Sequence, residues 1–302
     1  MRADDPFAGV SDARQSIAEI SGRHRGRKLT DWNTAVLPKG MNGEFMKNKG
    51  STYLKIAVRQ IVILAVLLGF IEYVVQQGIV SDLYLASPSQ VAGELADLVR
   101  KGLLFRHLSI TLLEFVIGYG LAVFLGVATA LFLVLTPHAE DVLKPFFSAL
   151  MAIPKVTIIP LMILWLGIGL LNKSAIVFIF SFFPILFNTM TGIGQTDENH
   201  LKVARVLGAS RLQNIRMVIL PSAVPSIFSG MRVAAGTGLV GALFGEMLAS
   251  KGGLGNLLVR ATELYNTARS FAVIFVVTLV SVFIVLAIDI LERKVFMKWK
   301  SE

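Results

Sequence analysis

Apolar residues along this chain come in long runs broken by short polar segments. Helices need about 20 mainly apolar residues to cross the hydrocarbon layer of a bilayer. Six stretches meet or approach that length: residues 56–75, 110–135, 156–171 (with an apolar approach at 146–153), 175–193, 222–249 and 271–290. The first starts more than fifty residues in, and no small-residue cleavage site follows it at Gln76-Gln77, so it reads as a span and not as a cleaved signal. The fifth is the weakest. It is rich in small residues, with Gly230, Gly236, Gly238, Gly241 and Gly245, which suits close helix packing in a pore-lining or subunit-interface helix. The pattern predicts an all-α, polytopic membrane helix bundle of about six transmembrane helices.

Composition agrees. Of 302 residues, 54% are hydrophobic and 16% charged, against about 25% charged in a typical soluble domain. There is no cysteine, which excludes disulfides, thiolate metal sites and cysteine nucleophiles. A net charge of +9 would raise the question of nucleic acid in a soluble protein; here topology accounts for it. The first sixty residues carry eleven Lys and Arg. The segment 196–220 adds Lys202, Arg205, Arg211 and Arg216, and the tail adds Arg293, Lys294, Lys298 and Lys300. Six crossings place all three segments on one side, and the positive-inside rule makes that side cytoplasmic, with both termini. Dropping the weak fifth span would put the basic tail outside, so the span is kept.

Residues 1–50 are polar and lack helical periodicity, which predicts a mostly disordered cytoplasmic extension to a transmembrane domain over 51–302. Ser87-Pro88 predicts the start of a short interfacial helix with Val91, Leu95, Leu98 and Val99 on one face. The sharpest local signal lies in the loop at about 195–221. Asp197 is placed to cap a helix over 198–207, with Leu201, Ala204 and Leu207 on one face. Gly208 stands where a helix stops in the left-handed region. Ser210 and Gln213 form a capping-box pair that opens a second helix, and Pro221 and Pro225 stand at the entry to the fifth span. The loop is therefore a structured hairpin, suited equally to docking a partner or to lying on lipid.

Other chemistry is thin. Gly167-Ile-Gly-Leu-Leu-Asn172-Lys173-Ser174 falls one residue short of a phosphate loop and lacks a preceding strand, so Lys173 reads as an interfacial anchor. The four His residues have no metal-ligand spacing, and no catalytic triad is evident. Neither catalytic residues, metal nor cofactor are expected. Glu72, Glu114, Arg232, Glu246 and Asp289 fall in or near apolar spans, where charge is costly and often functional. Each is read either as an anchor or as part of a pathway or gate, Arg232 and Glu246 being the foremost gate candidates.

The 195–221 loop resembles the Glu-Ala-Ala loop of binding-protein-dependent ABC permeases, whose pattern is Glu-Ala-Ala, three residues, Gly, nine residues, Ile, one residue, Leu-Pro. Lys202, Val203, Ala204, Gly208, Val218, Leu220 and Pro221 fall on those positions. Lys202 replaces the family's Glu and reverses a charge. More of the chain is similar to the nitrate/sulfonate/taurine-type branch: Ser87-Pro88-Ser89-Gln90-Val91, Ile153-Pro154, Leu164-Trp165-Leu166-Gly167-Ile168-Gly169, Phe183-Pro184-Ile185, Gly230-Met231-Arg232, Glu246 and Gly253-Leu254-Gly255 occur in the branch's order over about residues 55–300. Glu114 departs from it, standing where that branch has a basic residue. The resemblance implies a type I ABC importer permease of the bacterial inner membrane. It implies a homodimer forming one translocation path, separate ABC ATPase subunits, an extracytoplasmic solute-binding protein, and a small-anion solute such as nitrate, a sulfonate or taurine. It assigns ATPase coupling to Lys202, Val203, Ala204, Arg205, Gly208, Ala209, Leu220 and Pro221, and ATP hydrolysis to a partner chain. The competing readings are a stand-alone secondary transporter or channel, which would show repeat symmetry and midplane ionisable groups, and a membrane-embedded enzyme, which would need a convergent acid/base or metal cluster.

Overall fold

The computed structural model describes residues 41–300, and its regular elements are all helices, with no strand among the described residues. The elements are α1 (Met41–Gln76), α2 (Pro88–Arg100), α3 (Leu103–Leu135), α4 (Ala139–Ala152), α5 (Ile159–Leu166), α6 (Leu170–Gly194), α7 (Glu198–Val206), α8 (Arg211–Asn214), α9 (Leu220–Ala249), α10 (Leu254–Glu263) and α11 (Thr267–Lys300). The chain divides into two units, the first carrying α1 up to Leu67 and the second starting at Leu68. Helix α1 begins at Met41, inside the stretch expected to be a disordered extension, because residues 41–50 continue the helix that leads into the first span. The remainder of that expectation, residues 1–40, lies outside the described residues.

Five helical runs are long and apolar enough to cross a membrane: Val58–Gln76, α3, α6, the continuous run Arg211–Ala249 and α11. The expected third span, 156–171, is not one helix. Helix α4 ends at Ala152, a 3-10 turn covers Lys155–Ile158, and α5 leaves at 82° to α4. Pro154 is the cause: it excludes the α region for the residue before it, and Ile153 is extended at ψ 129°. Helix α5 stops at Leu166, where Gly167 turns left-handed at φ 70°. The bent pair α4–α5, counted as one span, is the candidate for the sixth crossing.

Helix α6 is the centre of the second unit. Buried residues make up 61% of its apolar window, against 28% for α3 and for α11. Gly118 and Gly126 of α3 meet Ser174/Val177 and Ile185 of α6, so these helices run parallel. Gly230, Gly238, Gly241 and Gly245 of α9 meet residues 184–188, Ser181, Phe180 and Ile176, so α9 runs antiparallel to α6. Four of the five glycines in the fifth span thus serve packing inside one subunit, and of the five only Gly236 has open space over it. These glycines give the fifth span close approach to α6 within the bundle.

Pro184 illustrates how the bundle tolerates a broken ladder. Proline lacks the N–H that would bond the Phe180 carbonyl. Thr237 Oγ1 of α9 donates to that carbonyl instead, at 3.1 Å, which satisfies a group that lipid could not. On the outer surface of the helices, Phe124, Phe132, Phe283, Leu286 and Ile290 are exposed. In water that surface would be an aggregation hazard; against acyl chains it is the normal exterior.

The helix directions define two ends. At one, which we call the cap end, α3, α6 and α11 begin, α9 finishes, and α2 and α10 lie. The other is the hairpin end, made by 195–221. Helix α2 is fastened by its own sequence. Ser87 accepts from Gln90 N–H while Gln90 accepts from Ser87 N–H, forming a capping box. Glu72 accepts from Ser89 N–H at 3.0 Å, placing a carboxylate at a helix N-terminus. Leu98 is fully buried, but Val99 is exposed and does not share the expected face.

Candidate functional site: the 195–221 hairpin and the buried charges

Local chemistry builds the hairpin. Asp197 caps α7 by accepting from Asn199 N–H at 2.8 Å. At the other end Gly208 adopts φ +76°. Its N–H bonds Arg205 O, and Ala209 N–H bonds Ala204 O, both at 3.0 Å. This is the Schellman pattern, in which a left-handed residue lets the chain satisfy the last helical carbonyls. Ser210 then accepts from Gln213 N–H at 3.3 Å while Gln213 accepts from Ser210 N–H at 2.7 Å.

After α8 comes a π-helical turn, Ile215–Ile219, in which Leu220 N–H reaches back to Ile215 O. This register change immediately precedes Pro221, whose ring and missing N–H would break an ordinary α ladder. It lets the hairpin run unbroken into α9.

Most of the residues to which the resemblance assigns ATPase coupling are accessible. Lys202, Val203, Arg205 and Gly208 are exposed, and Ala204, Ala209, Leu220 and Pro221 are half-buried. Among the described residues Lys202 pairs only with Glu198 of its own helix, at 3.3 Å, on an exposed face. Leu201 and Ile215 pack on the core at Met190, Ile193 and Ile219. Leu207, expected on the same face as Leu201, is instead 80% exposed because α7 has already ended at Val206. Val206, Leu207 and Met217 therefore stand out as apolar residues at the hairpin end, among Lys202, Arg205, Arg211 and Arg216.

The intramembrane charges are partnered. Arg232 donates to Asp289 at 3.0 Å and to Glu292, tying α9 to α11 near the hairpin end. Glu246 is fully buried at the cap end, far from Arg232. Its carboxylate accepts from Thr111 Oγ1 and from Gly255 N–H, each at 2.6 Å. The two foremost gate candidates thus belong to different sites. Lys173 is no interfacial anchor: it is buried, and its Nζ donates to Glu114 Oε1 at 2.8 Å and to Ser250 Oγ. The unusual acid at 114 has its base 59 residues away.

On the surface of the cap end, Glu94 receives hydrogen bonds from Asn266 Nδ2 (3.0 Å) and Arg269 Nε (2.9 Å). Burial works against its charge, but these bonds and the Arg269 charge outweigh it and hold the carboxyl below the usual range. The pair binds α2 to the start of α11.

Comparison with known proteins matches residues 122–297 to the binding-protein-dependent transport system inner membrane component family. The chain is 32% identical to the riboflavin transport system permease protein of Chloroflexus aurantiacus, over 72% of this chain and 81% of that protein. It is 29% identical to the taurine transport system permease protein of Escherichia coli, over 79% of this chain and 88% of the relative. In structure it is similar to a chain of the inward-facing MetNI methionine ABC transporter, with a TM-score of 0.55 and 22% identity, over 64% of this chain and 96% of that one. That likeness speaks for the fold, a type I importer permease bundle, and the sequence matches speak for descent. The chain belongs to the binding-protein-dependent transport system inner membrane component family, and is a multi-pass permease subunit of the inner membrane.

Proposed function

We propose that this permease forms the solute path of an ATP-driven importer as a homodimer, and that α7–Gly208–α8 is the element on which separate ATPase subunits act. A capped hairpin that exposes Val206, Leu207 and Met217 carries this reading. Its backbone bonds are satisfied locally, so it keeps its shape without a partner, yet its tip leaves apolar surface open, as docking surfaces do. The basic rim of Lys202, Arg205, Arg211 and Arg216 supports a cytoplasmic side for it, with both termini, by the positive-inside rule. A soluble binding protein would then deliver solute at the cap end. ATPase closure, transmitted through the π-helical turn into α9, would tilt the bundle between inward- and outward-open states, a rigid-body switch.

For the solute, we favour a small anion of the nitrate, sulfonate or taurine kind, in keeping with the branch the sequence resembles. The relatives' names cover an aminosulfonate and a flavin, so the fold itself tolerates several solutes, and selection falls largely to the binding protein.

The native chain has no cysteine, so Val206→Cys supplies a single thiol at the hairpin tip. Maleimide labelling of that variant should be rapid in the isolated permease and strongly slowed once the ATPase subunits are bound. Equal rates in both states would remove the hairpin from the interface.

A further inference from the structure

At the cap end, α3, α6 and α9 bring two carboxyl groups and one ammonium into one buried site. Glu114 is 2% exposed and Glu246 is 0% exposed, and Glu246 is bonded to Thr111, one turn before Glu114 on α3, so the two acids face one site. Donors can be counted atom by atom. Lys173 Nζ serves Glu114 Oε1. Thr111 Oγ1 serves Glu246 Oε1, and Gly255 N–H serves Glu246 Oε2. Glu114 Oε2 is buried and has no partner.

No other charge among the described residues reaches the site. Lys173 is the only charged residue of α6. On α3, His107 spends its Nδ1–H on Gly253 O, at 2.8 Å. From the loop and α10, Lys251, Arg260 and Glu263 are exposed. One ammonium therefore faces two acids.

We propose that Glu114 and Glu246 share one bound proton, making this cluster a proton-binding site that is neutral as a whole. A single O–H between the two carboxyl groups supplies the donor that Glu114 Oε2 lacks and removes the repulsion of two buried anions. The proton is taken from water when the bundle closes around the site and returns to water when it opens. While it is held, α3, α6, α9 and the 250–255 loop are fastened together. Its loss leaves one uncompensated negative charge that drives α3 and α9 apart at the cap end.

The test uses the full-length permease with its ATPase subunits in lipid nanodiscs, with glutamate carrying carbon-13 in the side-chain carboxyl. Infrared spectra at neutral pH should show a protonated-carboxyl C=O band that shifts with the label. The band should be absent from both Glu114→Gln and Glu246→Gln. Glutamine keeps the shape and offers an N–H in place of the O–H, so each variant retains one carboxylate for Lys173. Unfolding of the wild type releases the proton, so raising the pH favours unfolding, with the unfolding constant rising about tenfold per pH unit while one proton is released. Both Gln variants should be flat over that range. A wild-type spectrum without the band overturns the proposal, as does a band that survives both substitutions. A band removed by only one substitution assigns the proton to a single residue and overturns the sharing.

Discussion

Gly208→Val is expected to reduce transport to background while the permease still accumulates in the membrane. The reason is confined to the backbone. Gly208 sits at φ +76°, and a Cβ built there meets nothing within 4 Å, so no clash contributes. An L-residue in that conformation costs about 1–2 kcal/mol, and a β-branched one resists it further. The chain can relieve the strain only by leaving the left-handed region, which breaks the bonds from Gly208 N–H to Arg205 O and from Ala209 N–H to Ala204 O. Helix α8 would then leave α7 in a different direction, and Arg205 and Val206 would no longer be presented in a fixed geometry at the hairpin end. Solute uptake, normalised to membrane-inserted protein, measures the effect. Normal uptake by a well-folded variant would contradict the role we propose for the hairpin.

Lys173→Met should have the largest effect on stability. Removing the ammonium leaves Glu114 deep in the bundle without its cation, and leaves Ser250 without its charged donor. Breaking a buried pair by deleting one partner costs about 3–5 kcal/mol, a large share of the roughly 5–15 kcal/mol that holds a typical fold. The thermal midpoint in mild detergent should fall sharply. Replacing both residues, Lys173→Met with Glu114→Met, should recover most of the loss, because no uncompensated charge then remains in that position. A single variant as stable as the wild type would show that Lys173 and Glu114 are not paired in the folded protein.

Legibility in the sequence follows the range of each interaction. Both capping boxes, Ser87/Gln90 and Ser210/Gln213, involve residues three apart. Gly208 and Asp197 act on their own turn. Such features are decided locally, so the amino-acid order alone is enough to lay out the hairpin. Hydropathy locates the spans for a similar reason: each run has to be apolar whatever it packs against. Direction is what hydropathy lacks. Pro154 and Gly167 are visible in the sequence, yet a sum of apolar residues over 156–171 carries no information on the 82° bend between α4 and α5. The buried charges are least legible. Whether Lys173 points at the bilayer interface or at Glu114 depends on how α3 and α6 are rotated about their axes. That rotation is set by Gly118 against Ser174 and Gly126 against Ile185, contacts more than fifty residues apart in sequence. Likewise, the glycines of α9 advertise close approach but not to which helix.

The most direct test of the account is purification of the permease from its native host in mild detergent, with co-purifying proteins identified and ATP hydrolysis assayed. The account predicts a stoichiometric ATPase subunit that is lost on Arg205→Glu. A homo-oligomer that retains transport with no ATPase bound would contradict it, and would point to ion-coupled transport instead.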